Sequence, residues 1–124
     1  MKKLAIILTF VISVFSLGNT VVAQESVPKS VLLNTLNNVN DLDLSNYKTE
    51  ELYQYNERYT DDVYDIIDSD KTEKDKIDAL KVLKNDTEKD LEDLLGKDYK
   101  HYKNLMEKEL KPLKRKSKLF KYII

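Results

Sequence analysis

Few residues in this chain could do covalent or acid–base chemistry. His101 is the one histidine, and there is no cysteine. A hydrolase or transferase needs a nucleophile, a base, and a third group that orients the base. His101 stands between Lys100 and Tyr102, beside an apolar stripe, with nothing spaced to orient it. It reads as a surface histidine. A single His without Cys also lacks the ligands of a structural zinc site.

Carboxylates are abundant, with 22 Asp and Glu in 124 residues. Asp68, Asp70 and Thr72 fall at the first, third and fifth positions of an EF-hand-like calcium loop. Its sixth position would be Glu73, where the turn requires Gly, and its twelfth Ala79, where a bidentate acid is required. Asp68-Ser69-Asp70 therefore reads as a turn between helices. Asp61 with Asp65, and Glu88 with Glu92, have the spacing of paired acids. A glycosidase couple, however, needs a cleft and one acid of raised pKa, and these acids lie among lysines on solvated faces. Lys71 with Asp75 and Glu107 with Lys111 are ordinary helix-surface pairs. No catalytic residue, cofactor or metal is expected, so the chain is read as a non-enzyme.

Aromatic residues carry more information. There are eight tyrosines against three phenylalanines. Leu52, Tyr55, Tyr59, Val63 and Ile66 recur at steps of three and four, and Tyr99 and Tyr102 belong to a second stripe, with Tyr53 and Tyr64 pointing elsewhere. Two readings stand. The tyrosines fill a shallow core with their hydroxyls reaching water, or Leu52, Tyr55, Tyr59, Val63, Ile66, Tyr99 and Tyr102 form a partly exposed face that binds a partner or a non-native client protein.

Residues 111–124 hold six basic residues and no acid. Lys114, Arg115, Lys116 and Lys118 are the candidate contacts to an anionic membrane surface or polymer, since cations interleaved with Leu, Phe, Tyr and Ile suit such a surface. The competing expectation is that Leu119, Phe120 and Ile123 fold back over the rest while the lysines balance acidic helices. Elsewhere both signs are interleaved, which suits a solvated coat and not a grip on nucleic acid.

These residues need elements to position them. Lys2-Lys3, an apolar run from Leu4 to Leu17, and Val21-Val22-Ala23 have the layout of a secretory signal peptide cleaved between Ala23 and Gln24. The run is 14 residues, below the roughly 20 that span a bilayer. Residues 1–23 are thus read as the leader and 24–124 as one helical domain, exported to the periplasm of a diderm host or otherwise secreted. Its charge is near −3, of which the part before the tail carries about −9. Without cysteine it must be held by packing alone. Two Gly and two Pro are too few for the turns of a sandwich or barrel.

The fold class is all-α. Ser30 is expected to cap a short helix carrying Val31, Leu32, Leu33, Leu36 and Val39, ended by Asn-rich 37–40. Residues 41–47 are read as a loop, with Leu42 and Leu44 packing beneath it. Thr49 is the expected cap of the Leu52–Ile67 helix. Thr72 with Asp75 forms a capping box for a helix bearing Ile77, Leu80, Leu83, Leu91, Leu94 and Leu95, widened by Ala79 and Val82. Thr87 is its weak point and Gly96 its stop. A third helix carries Tyr99, Tyr102, Leu105, Met106 and Leu110, and Pro112 kinks or ends it. Three main amphipathic helices in a hairpin-like or open bundle result, with a short helix before them and a basic tail after.

Ile66-Ile67-Asp68-Ser69-Asp70-Lys71, the long charged helix to Leu95, and Lys97-Asp98-Tyr99-Lys100-His101-Tyr102 resemble the layout of small periplasmic proteins of the Spy/CpxP type. The likeness covers about half the chain, Thr49 to Leu110. It implies a helical hairpin and an ATP-independent envelope chaperone or stress-sensing role. That family's Leu-Thr-x-x-Gln element is absent; Leu94-Leu95-Gly96-Lys97-Asp98 keeps only its leucine and its place at a helix junction. The Val-Ala-Gln-Glu junction and the lysine-rich, cysteine-free body also resemble small exported proteins of Bacteroidota. Chaperone-like binding is the first functional expectation. The second is a structural module of the cell envelope that pairs with itself as a homodimer, or with one partner, through the Leu52–Ile67 and Ile77–Leu95 faces.

Overall fold

Two long helices lie side by side at the centre of the chain, and each ends under a lysine from the start of the other. The computed structural model describes residues 27–124; the expected leader and its expected Ala23–Gln24 junction lie outside the described residues. Helices follow in the order α1 (Lys29–Leu36), α2 (Asn46–Ile67), α3 (Glu73–Leu95), α4 (Tyr99–Glu109) and α5 (Lys111–Lys116). Single 3₁₀ segments cover Gly96–Asp98 and Lys118–Tyr122, and there is no strand among the described residues. The chain is an all-α bundle.

α2 and α3 form an antiparallel hairpin. Lys48, at the start of α2, places Nζ 3.3 Å from both Leu95 O and Asp98 Oδ2 at the far end of α3. Lys76, at the start of α3, donates to Ile67 O at 2.6 Å. The last carbonyls of a helix have no partner within it and carry its negative end, so a lysine there supplies both a donor and a charge. The turn at 68–72 is tied by Ser69 Oγ donating to Ile66 O at 2.7 Å, and Thr72 Oγ1 accepts the Asp75 N–H at 3.2 Å. The cap and the turn follow the sequence pattern.

Local starts depart from it twice. α1 begins at Lys29 with Pro28 in the cap position, so Ser30 lies inside the helix. Proline is tolerated there because its missing N–H would have had no helical partner. α2 begins three residues before Thr49: Ser45 Oγ accepts the Lys48 N–H at 3.2 Å, while Thr49 turns its hydroxyl onto Ser45 O at 2.9 Å. Thr49 is a good cap in isolation. The extra turn wins because it carries Lys48 onto the end of α3.

Asn37 ends α1, and Leu42 and Leu44 pack half-buried under the following loop, as expected. α3 stops at Gly96, and the break near Leu110 leaves Pro112 in the first turn of α5. Val82 does not widen the α3 face, being 62% exposed on the opposite side. The core runs through Leu32, Leu36, Leu52, Tyr59, Val63, Leu80, Leu91, Leu95, Tyr102, Met106 and Leu110. It is closed at one side by Leu113, Phe120 and Ile123 from the tail. The tail folds back onto the bundle.

Candidate functional site

The stripe expected to meet a client or partner is the inside of the bundle. Leu52, Tyr59, Val63 and Tyr102 are buried, and Tyr55, Ile66 and Tyr99 are half-buried against them. The physical reason is supply. A short chain with 35% charged residues has few large apolar groups, and the stripes of α2, α3 and α4 satisfy one another. The α2 and α3 faces proposed for self-pairing are used up in the same hairpin. Tyr64 also belongs inside: its ring meets Phe120 edge-on with centroids 6.4 Å apart, and its hydroxyl donates to Val27 O. Tyr47 and Tyr53 are the exposed tyrosines. The core-filling reading of the aromatics is the one the fold uses.

The hydroxyls do not simply reach water. Tyr102 donates to Leu36 O at 2.8 Å and accepts from Asn56 Nδ2 at 3.3 Å. Asn56 Nδ2 also lies 3.1 Å from Leu36 O and 2.9 Å from Asn37 Oδ1. This buried knot joins α1, α2 and α4, and sequence periodicity had no means of finding Asn56, a polar residue on the apolar side of α2. Burial pushes the Tyr102 and Tyr59 phenols well above their ordinary range. Asn56 Oδ1, Thr60 Oγ1 and Thr87 Oγ1 are buried without a hydrogen bond. Thr87 is thus the weak point that its place on the α3 stripe predicts.

Candidate acids and bases are scattered. His101 is exposed, in a notch of about 260 Å³ with Asp41, Leu42, Asp43 and Asp98, and Asp98 is engaged by Lys48. Asp61 pairs with Lys29, and Glu88 lies 3.9 Å from Lys103. Asp62, Asp86 and Asp90 share an α2–α3 notch of about 310 Å³ with Tyr55 and Arg58. There Tyr55 donates to Asp90 Oδ2 at 2.9 Å and Arg58 lies 5.6 Å over the Tyr55 ring. Burial, opposed by the nearby Thr87 hydroxyl and aided by Asp90, pushes the Tyr55 phenol up to about 12. Thr87 and Tyr55 are neighbours here, but the Tyr55 hydroxyl is directed at Asp90 and makes no hydrogen bond with Thr87. Among the described residues no cluster of three or more His, Cys, Asp or Glu is placed to hold a metal ion.

The tail is where charge converges. Lys111, Lys114, Arg115, Lys118 and Lys121 line one cleft of about 550 Å³, and no acid lines it among the described residues. Three of the four expected contacts are therefore brought together, while Lys116 stands outside the cleft. Lys111 and Lys121 join them. The spacing of 111, 114 and 115 is that of one helix face, a signal legible in the sequence once α5 is recognised, while Lys118 and Lys121 come from the 3₁₀ segment beyond the extended Ser117. On the opposite side Leu113, Phe120 and Ile123 are buried, so the cations cannot turn inward. Two of them are tethered: Lys118 lies 3.4 Å from Glu73, and Lys114 Nζ donates to Ile124 O at 3.5 Å. Lys81 of α3 sits 5.5 Å over the Tyr122 ring. Lys114 is half-buried, and burial first, then the charge of Lys84, lowers its pKa against a smaller pull from Glu107.

Comparison with protein-family models, with curated proteins and with solved structures finds no match to this chain.

Proposed function

We propose that this chain is an exported, non-catalytic helical module that docks on a negatively charged envelope surface through its C-terminal cationic face. The observation that carries the reading is the cleft lined by Lys111, Lys114, Arg115, Lys118 and Lys121 alone, fixed by the burial of Leu113, Phe120 and Ile123 beneath it. The rest of the exported chain is net acidic, near −9, so it is the tail, where cations gather on one face and add, that presents positive charge to such a surface. Each basic residue near an anionic membrane contributes on the order of 1 kcal/mol, and the attraction is screened by salt. Chaperone-like holding of non-native chains would need Leu52, Tyr59, Val63 and Tyr102 uncovered. Their burial means that such holding would have to use a different surface of the folded chain.

Co-sedimentation of the exported chain with lipid vesicles tests the proposal. Binding is expected to vesicles containing phosphatidylglycerol, to weaken steeply with added salt, and to be absent from neutral phosphatidylcholine. Reversing Lys111, Arg115 and Lys121 to Glu should abolish it with the thermal midpoint little changed. Equal binding to neutral vesicles, or binding that survives the triple reversal in a folded protein, sinks the reading.

A further inference from the structure

The cationic cleft is more than a positive surface. The side chains that line it are all donors, four ammonium groups and one planar guanidinium, with Glu73 beside Lys118 and Ile124 O beside Lys114 as the acceptors that reach them. Side chains of one charge gathered into about 550 Å³ repel one another, and Lys84 of α3 adds to the repulsion at Lys114, against a smaller pull from Glu107 there and from Glu73 at Lys118. Spreading apart would relieve that repulsion. The fold keeps their backbone positions together, because α5 and the 118–122 turn are pinned from below by Leu113, Phe120 and Ile123.

We propose that this cleft is a site for a phosphate monoester group, with Arg115 and Lys114 as its specificity-determining contacts. This inference rests on the anionic-surface reading above and narrows it. A phosphate monoester carries about −1.5 to −2 charge and three strong acceptor oxygens, which answers a site of clustered donors better than a carboxylate with one charge and two oxygens. Arg115 supplies a fork that grips two of those oxygens at once, which an ammonium cannot do. Lys114 is the cation held deepest, half-buried between the tail and α3. A bound dianion there would offset both its lost solvation and its repulsion from Lys84.

The group can arrive as a lipid headgroup or as a free phosphate, and one experiment separates the sources. Phosphatidylcholine vesicles doped with phosphatidic acid are compared with vesicles doped with oleic acid to the same measured surface potential. Affinity for the phosphate-bearing vesicles should be higher by about tenfold, the effect of one good charge-assisted contact. Arg115→Lys keeps the charge and should remove most of that preference while residual, salt-sensitive binding remains. Inorganic phosphate added as competitor distinguishes a free-phosphate site, which it empties, from a headgroup site that needs the bilayer, which it does not; a persisting preference upholds the inference in either case. Equal affinity for the two vesicles overturns the phosphate site and leaves surface docking standing. Binding to neither overturns both.

Discussion

The backbone N–H of Ile124 donates to the buried phenol oxygen of Tyr59 at 3.3 Å, across 65 positions of sequence. That bond sets the end of the tail against the middle of α2. It also makes the tail two things at once, a wall of the core on its inner side and a row of cations on its outer side.

Phe120 tests the inner side. Its ring is 2% exposed and stands at 90° to that of Tyr64. Phe120→Ala should lower unfolding stability by about 3 kcal/mol, the usual cost of such a cavity, read from the shift of a urea midpoint followed by helical circular dichroism. Lys121→Gln, one residue away on the outer face, should move it by less than about 0.5 kcal/mol. Similar small effects from both would mean that the tail does not belong to the core.

High pH should loosen the bundle. Tyr59 and Tyr102 are raised above the ordinary 10.0, chiefly by burial, and Tyr55 to about 12. A phenol whose folded pKa is raised binds its proton more tightly when folded. Its contribution is whole below the unfolded value near pH 10 and is lost as pH climbs toward the folded one. Stability should therefore be flat in this respect from neutral pH to about 9 and fall above about 10. Tyr102→Phe should make that fall shallower, and at neutral pH should cost about 1 kcal/mol for the bond to Leu36 O. An unchanged alkaline slope in the variant would refute the assignment.

Much of this architecture was legible because amphipathic period and capping chemistry are local. Thr72 and Asp75, the Leu52–Ile67 stripe, the stop at Gly96 and the break at Pro112 all follow from residues within one or two turns. What was hidden depends on partners far along the chain. Ser45 outcompetes Thr49 only once Lys48 has the end of α3 to cap. Asn56 is tolerated in the core only because Leu36 O, Asn37 and Tyr102 converge on it. The candidate site divides the same way. Periodicity identifies the aromatic stripe but cannot say whether neighbours will cover it, whereas the clustering of Lys111, Lys114 and Arg115 needs only a short helix.

Thr87→Val should stabilise the protein. Thr87 is 1% exposed, and its hydroxyl is buried without a hydrogen bond. Valine keeps the branched shape and removes an oxygen whose desolvation is uncompensated, a gain of about 1 kcal/mol. Chemical denaturation of the variant checks it. A loss of stability would show that the oxygen has a partner, for which the neighbouring Tyr55 phenol is the candidate.

Gly96 makes the sharpest test of backbone geometry. Its φ of 56° and ψ of −124° lie near the first central position of a type II′ turn, the mirror image of an ordinary extended residue. An added Cβ would meet nothing within 4 Å, so any cost comes from the backbone and not from a clash. Gly96→Ala should destabilise by roughly 1–3 kcal/mol. Asn commonly replaces Gly at helix ends because it tolerates the left-handed helical region, where ψ is near +47°. Gly96 is not in that region, so Gly96→Asn should cost about as much as Gly96→Ala. Measured side by side in urea, a clear rescue by Asn would place Gly96 in the left-handed helical well instead, with the turn into α4 built differently.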